Sequence, residues 1–80
     1  MDAGGELVEK LTEVGLRTRA EQHDGGVVML RVDVDNDRYV MVTDRGSHYW
    51  MDVYENGRRT STGSAATADG LVAMILSMTS

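Results

Sequence analysis

The spacing of apolar residues predicts a helix near the start of the chain. In GELVEKLTEVGL, Leu7, Leu11 and Val14 follow the i, i+4, i+7 spacing of one helix face, and glutamates occupy the other faces. Gly15 suits the left-handed conformation that commonly ends a helix. The pattern therefore predicts a first helix over residues 5–15.

A second helix is predicted over residues 67–79, where Thr67 can cap the apolar run ADGLVAMILSM. Apolar side chains cover this helix almost all the way round: Leu71, Val72, Met74, Ile75, Leu76 and Met78. One sheet cannot cover so wide an apolar surface. The excess must pack against the first helix or against a second copy of the chain, which makes a homodimer one expectation.

Between the helices, apolar and polar residues alternate with the period of two that is typical of strands. VVMLRVDV, RYVMVT and HYWMDVY are the strong strands; LRTRAEQ is a weak edge strand, and RRTST a short final one. HDGG and Asn56-Gly57 supply the turn chemistry of tight hairpins, while TGSAATADG is interpreted as a connection. The prediction is an antiparallel meander of four or five strands over residues 17–62.

These elements predict one globular domain, residues 1–80, of the α+β class: a two-layer sandwich with both helices on one face of the sheet. The stripe expected beneath the helices is purely aliphatic apart from one methionine: Val28, Leu30, Val32, Val34, Val40, Val42, Met51 and Val53.

The opposite face of the sheet would be bare, yet its residues are not those of an ordinary solvated face. They are Val27, Met29, Arg31, Tyr39, Met41, His48, Trp50 and Tyr54, edged by Asp33 and Asp52. Trp, Tyr, Met and Arg are enriched at interface centres. The predicted partner-binding residues are Trp50, Tyr39, Met41, Tyr54, Arg31 and Met29. The alternative is cross-strand packing that only stabilises a small sheet.

The composition of the chain excludes some kinds of structural cross-link and of cellular location. The 80 residues include no cysteine, so disulfides and thiolate metal sites are ruled out. The N-terminal MDAGGELVEK lacks the basic and apolar segments of a signal peptide, and LVAMILSM is shorter than the about 20 apolar residues that span a bilayer. A cytoplasmic protein that does not bind membranes is expected.

The stretch DVDNDRYV resembles a calcium loop because it places aspartates at alternate positions, Asp33, Asp35 and Asp37. An EF-hand loop also requires a sharp glycine turn and a final bidentate glutamate between two helices. Here Arg38 takes the glycine position, Asp44 the glutamate position, and the flanks are strands. The stretch is predicted to be a hairpin turn, with no metal.

Catalytic chemistry is not predicted. Ser64 lies in no nucleophile elbow or phosphate-binding loop, and His23 and His48 are not spaced as a ligand pair. No acid, base and nucleophile converge on a recognisable motif. The expectation is a protein that is not an enzyme and carries no cofactor.

Nucleic-acid binding is a third possible class of function, because aromatic residues on an open sheet can stack bases. The order of helix, strands and helix resembles the double-stranded-RNA-binding domain. That resemblance would place a basic cluster near ATADGLV, where this chain has Asp69 and no Lys or Arg. A net charge of −5 also repels phosphate. No nucleic-acid partner is predicted.

The remaining class is a small acidic protein that binds and occupies another protein, as inhibitors, immunity proteins, antitoxins and phage anti-defence proteins do. Its net negative charge would steer it toward a basic target. The alternative is a homodimeric accessory protein.

Overall fold

The structure is a computed structural model that describes residues 3–22 and 28–79. The elements are α1 (Ala3–Glu13), β1 (Arg17–Gln22), β2 (Val28–Asp33), β3 (Arg38–Asp44), β4 (Tyr49–Glu55), β5 (Arg58–Ala65) and α2 (Ala68–Ser77). The strands form one antiparallel sheet in the order β1-β2-β3-β4-β5. This arrangement confirms the predicted α+β meander. The predicted HDGG turn, with His23 and Val27, lies outside the described residues.

α1 ends in the glycine stop that the sequence predicts. Gly15 has φ +85°, its N–H donates to the Thr12 carbonyl at 3.0 Å, and the Leu16 N–H donates to the Leu11 carbonyl at 3.0 Å. This pair of hydrogen bonds is the Schellman motif. Gly15 therefore lies just beyond the helix, which ends at Glu13 and not at residue 15 as predicted.

Thr67 caps α2 as predicted, since its side-chain oxygen accepts a hydrogen bond from the Gly70 N–H at 3.0 Å. The apolar excess of this helix is largely absorbed within the chain. Leu71 and Ile75 are fully buried, and Met74 packs against the core. Leu76, 36 % exposed, is the main apolar side chain of α2 left at the surface. α2 thus offers little surface for a second copy.

The β4–β5 hairpin turns at Asn56 (φ +53°) and Gly57 (φ +79°), the paired positive φ angles that Asn-Gly favours. β5 continues to Ala65, which corrects the predicted end of the meander at residue 62. Strand pairing needs only backbone groups, so the small residues of TGSA, interpreted as a connection, extend the ladder.

Both helices cover one face of the sheet, and the buried core lies between the two layers. Its members are Leu7, Leu11, Val32, Val40, Val42, Tyr49, Met51, Val53, Ala68, Leu71, Val72 and Ile75. The helices contact each other, and Lys10 Nζ lies 2.9 Å from Asp69 Oδ1 between them. No helix among the described residues is long and apolar enough to span a membrane.

At the β5 border of the core, the sheet approaches α2 closely. A Cβ atom built at Gly63 would lie 2.9 Å from the Met74 methyl and 3.1 Å from the Met51 methyl. Only a residue without a side chain leaves both methyl groups where they are.

Candidate functional site

The strand register assembles the candidate site, which we call the open face: the strand side chains that point away from the helices. Arg31 pairs with Met41, Met41 with Asp52, and Tyr39 with Tyr54. Among the described residues, the open face comprises Arg17, Arg19, Glu21, Met29, Arg31, Asp33, Tyr39, Met41, Thr43, Trp50, Asp52, Tyr54, Arg59, Thr62 and Ser64. All six predicted partner-binding residues lie on this face.

The alternating pattern predicts His48 at the start of β4 on the open face, but β4 begins at Tyr49. His48 instead belongs to the β3–β4 turn, where its carbonyl accepts from the Arg45 N–H at 2.9 Å and its Nδ1 lies 2.9 Å from Ser47 Oγ. The turn is tight because Gly46 adopts φ +91°. The alternating pattern could not show that the strand starts one residue later.

A stack of three side chains crosses the centre of the open face. The Arg31 guanidinium lies 4.0 Å from the Tyr39 ring centroid, and the Tyr39 and Tyr54 rings stack at 5.0 Å with 6° between their planes. Arg31 Nε also donates to Asp33 Oδ1 at 3.0 Å. These contacts are cation–π, aromatic and charge-assisted, and together they restrict the rotamers of all three stacked residues.

Trp50 is held by a second group of contacts. Its indole N–H donates to Asp52 Oδ1 at 3.2 Å, and the Arg45 guanidinium lies 5.1 Å from its ring centroid. Arg59 Nη1 lies 3.8 Å from the same Asp52 oxygen. The polar edge of the indole is therefore satisfied, while the half-buried ring contributes apolar surface.

Met41 occupies the middle of the open face and yet is only 5 % exposed. It does not belong to the core beneath the helices, so its burial comes from neighbours on its own face of the sheet, such as Arg31 and Asp52 opposite it. The open face thus has a small apolar centre of its own. A partner would touch the side chains over Met41 before it touched Met41.

Charge is distributed unevenly between the two layers. Arginines outnumber carboxylates on the open face: Arg17, Arg19, Arg31 and Arg59, joined by Arg45 over Trp50, against Glu21, Asp33 and Asp52. The helix layer is acidic, with exposed Glu6, Glu9, Glu13 and Asp69 against Lys10. The six predicted partner-binding residues do not include the arginines of the edge strands β1 and β5, because the alternating pattern by itself assigns these two weak strands to neither face. Their alternation in RTRAEQ was the available signal.

DVDNDRYV forms the predicted turn between β2 and β3. Asp35 Oδ1 accepts from the N–H groups of Asp37 and Arg38 at 3.0 and 2.9 Å, and the Arg38 guanidinium lies 2.7 Å from Asp35 Oδ2. The bond from Arg38 is the main reason that the pKa of Asp35 is lowered. Over residues 3–22 and 28–79 no cluster of three or more acidic or histidine side chains could hold a metal ion.

The sequence matches no known protein-family model, and neither the curated proteins nor the solved structures include a match.

Proposed function

We propose that this protein is a non-enzymatic protein-interaction module, acidic overall, that binds a protein partner through the open face. Its mode of action would be that of inhibitors, immunity proteins, antitoxins or phage anti-defence proteins, which act by occupying another protein, here in the cytoplasm. The observation that carries the proposal is the ordered Arg31–Tyr39–Tyr54 stack on a sheet face that no element among the described residues covers.

Two physical reasons support this face over the helix layer. Arg, Tyr and Trp are the residue types that dominate interface energies. The side chains of Tyr39, Tyr54 and Trp50 are half-buried and already held by neighbours, so they lose little further conformational entropy when a partner covers them.

The test is affinity capture from the host with three baits: wild type, Tyr54→Ala and Trp50→Ala. Removing a hot-spot side chain costs about 2 kcal/mol or more of binding, so both variants should lose the wild-type partner. Leu76→Ala is the matched control, because it removes an exposed apolar side chain from the helix layer. Capture that survives both sheet changes, or that is lost with Leu76→Ala, would contradict the proposal.

A second copy of the chain is an alternative occupant of the open face. Sedimentation velocity over a concentration series distinguishes the two cases. A wild-type dimer that Trp50→Ala converts to a monomer would assign the face to self-association, whereas a monomer throughout leaves it for a different protein.

A further inference from the structure

We infer that the partner surface recognised by the open face carries carboxylates. This inference rests on the proposed function and specifies the chemistry of its partner. It departs from the basic target that the net charge of −5 favours, because the exposed excess of carboxylates lies on the helix layer and in the turns and strand ends, whereas arginines outnumber carboxylates on the open face.

The arginines of the open face are not all neutralised within the chain. Arg31 pairs with Asp33 and Arg19 with Glu21, but Arg17 and Arg45 make no ion pair with any described residue. Burying an unpaired guanidinium under a neutral or basic surface would be costly. A partner that covers these two arginines must therefore bring acceptors for them.

A cleft of about 490 Å³ beside the open face gives one such acceptor a place to bind. The α1–β1 connection and the β2–β3 turn border the cleft, and Arg17 and Arg31 line it. Arg31 uses its Nε on Asp33, and its two Nη groups make no hydrogen bond with described residues. Planar Nη groups held by a ring stack suit a carboxylate, which accepts two parallel hydrogen bonds.

The two aspartates that also line the cleft do not oppose this assignment. Asp33 accepts from Arg31, and Asp35 is engaged by Arg38 and by two backbone N–H groups. Their charges are balanced by these partners, which leaves Arg17 as the unbalanced charge at the cleft. The acidic helix layer would repel the same partner and so favours docking on the sheet side.

The test is a ¹⁵N-detected NMR titration of the full chain with hexaglutamate, with hexalysine and with a six-nucleotide oligothymidylate. We expect hexaglutamate to shift the Trp50 indole signal and the Nε–H signals of Arg17 and Arg31 in a saturable, salt-sensitive way. Hexalysine should shift amides of α1, where the glutamates lie. Arg17→Gln should weaken hexaglutamate binding roughly threefold, the effect of one exposed ion pair. Arg58→Gln, the same charge change off the open face, should not.

Three results would overturn the inference: hexaglutamate leaves these signals unmoved, hexalysine shifts them instead, or only the oligothymidylate shifts them. In each case the proposed function would still hold if affinity capture recovers a partner that Tyr54→Ala and Trp50→Ala no longer bind. Failure of the acidic chemistry is therefore distinguishable from failure of the proposed function.

Discussion

The Arg38 guanidinium donates a hydrogen bond to the carbonyl oxygen of Met78 at 2.9 Å, across 40 residues of sequence. Met78 is the C-cap of α2, a helix with no basic residue in its last turn. Arg38, which lies on the sheet, therefore supplies the positive charge that stabilises the negative C-terminal end of the α2 dipole. The same side chain holds Asp35, so it ties the β2–β3 turn to the end of α2.

Arg38→Met should lower the urea midpoint of unfolding, because it leaves the Met78 carbonyl and the Asp35 carboxylate without their shared donor. Circular dichroism at 222 nm is a suitable readout. Arg58→Met is the control, since Arg58 is exposed and forms no ion pair with a described residue. Equal midpoints for the two variants would show that the link to α2 contributes nothing.

Acid should remove the contribution of Asp35. Because its folded-state pKa is lowered from the ordinary 3.8, mainly by Arg38, its ion pair stabilises the fold above that value. This stability is lost as the pH falls from 3.8 through the folded-state pKa. Asp35→Asn keeps a side-chain acceptor for the turn but no charge. The stability gap between wild type and Asp35→Asn should therefore narrow below pH 3.8, and a gap that widens there would contradict the assignment.

Met41 and Trp50 share the open face but should respond differently to truncation. Met41→Ala should cost about 2–5 kcal/mol of unfolding free energy, as for a buried methionine, because Met41 is 5 % exposed. Trp50→Ala should cost less than the about 3–5 kcal/mol of a buried tryptophan, since its side chain is only partly buried. Urea unfolding of both variants checks the order. If Trp50→Ala unfolds the domain, Trp50 belongs to the structural core and not to a contact surface.

Gly63→Ala should destabilise the protein by about 1–3 kcal/mol through overpacking against the Met74 methyl. The clash involves the flexible end of a side chain, so shortening that side chain should relieve it. In a double-mutant cycle, Gly63→Ala should cost less in a Met74→Ala background. An unchanged cost would place the strain at the Met51 methyl or in the backbone of β5 instead.

Calcium should not stabilise the protein, since the Asp35 carboxylate is occupied by Arg38 and by backbone N–H groups. A ligand at 100 times its dissociation constant adds about 2.7 kcal/mol, which a thermal melt resolves. Melts in millimolar calcium and in millimolar magnesium should coincide. A rise of many degrees in calcium alone would restore the calcium-loop interpretation.

The periodicity of the sequence was sufficient for the fold because each element carries a local signal. Leu7 and Leu11 fix the buried side of α1, Gly15 fixes its end, and Asn56-Gly57 fixes the last hairpin. Consecutive strands then pair, as short connections require. None of these inferences needs knowledge of distant contacts.

Properties that depend on several strands at once cannot be predicted from local sequence signals. The burial of Met41 depends on which side chains lie beside it in β2 and β4. The excess of arginine on the open face depends on the register of β1 and β5. The length of β5 depends on backbone pairing, which the small residues at its end do not indicate in the sequence. The bond from Arg38 to Met78 joins two elements that no local pattern connects.

Trp50 is the only tryptophan of the chain, and it lies on the sheet surface away from the core. Intrinsic tryptophan fluorescence therefore reports on the open face and says little about packing under the helices. The folded protein should emit from a partly solvated indole, at a wavelength between those of a fully buried and a fully exposed tryptophan. Desolvation by a bound partner would move the emission to shorter wavelength while the fold stays unchanged, which gives an unlabelled binding signal.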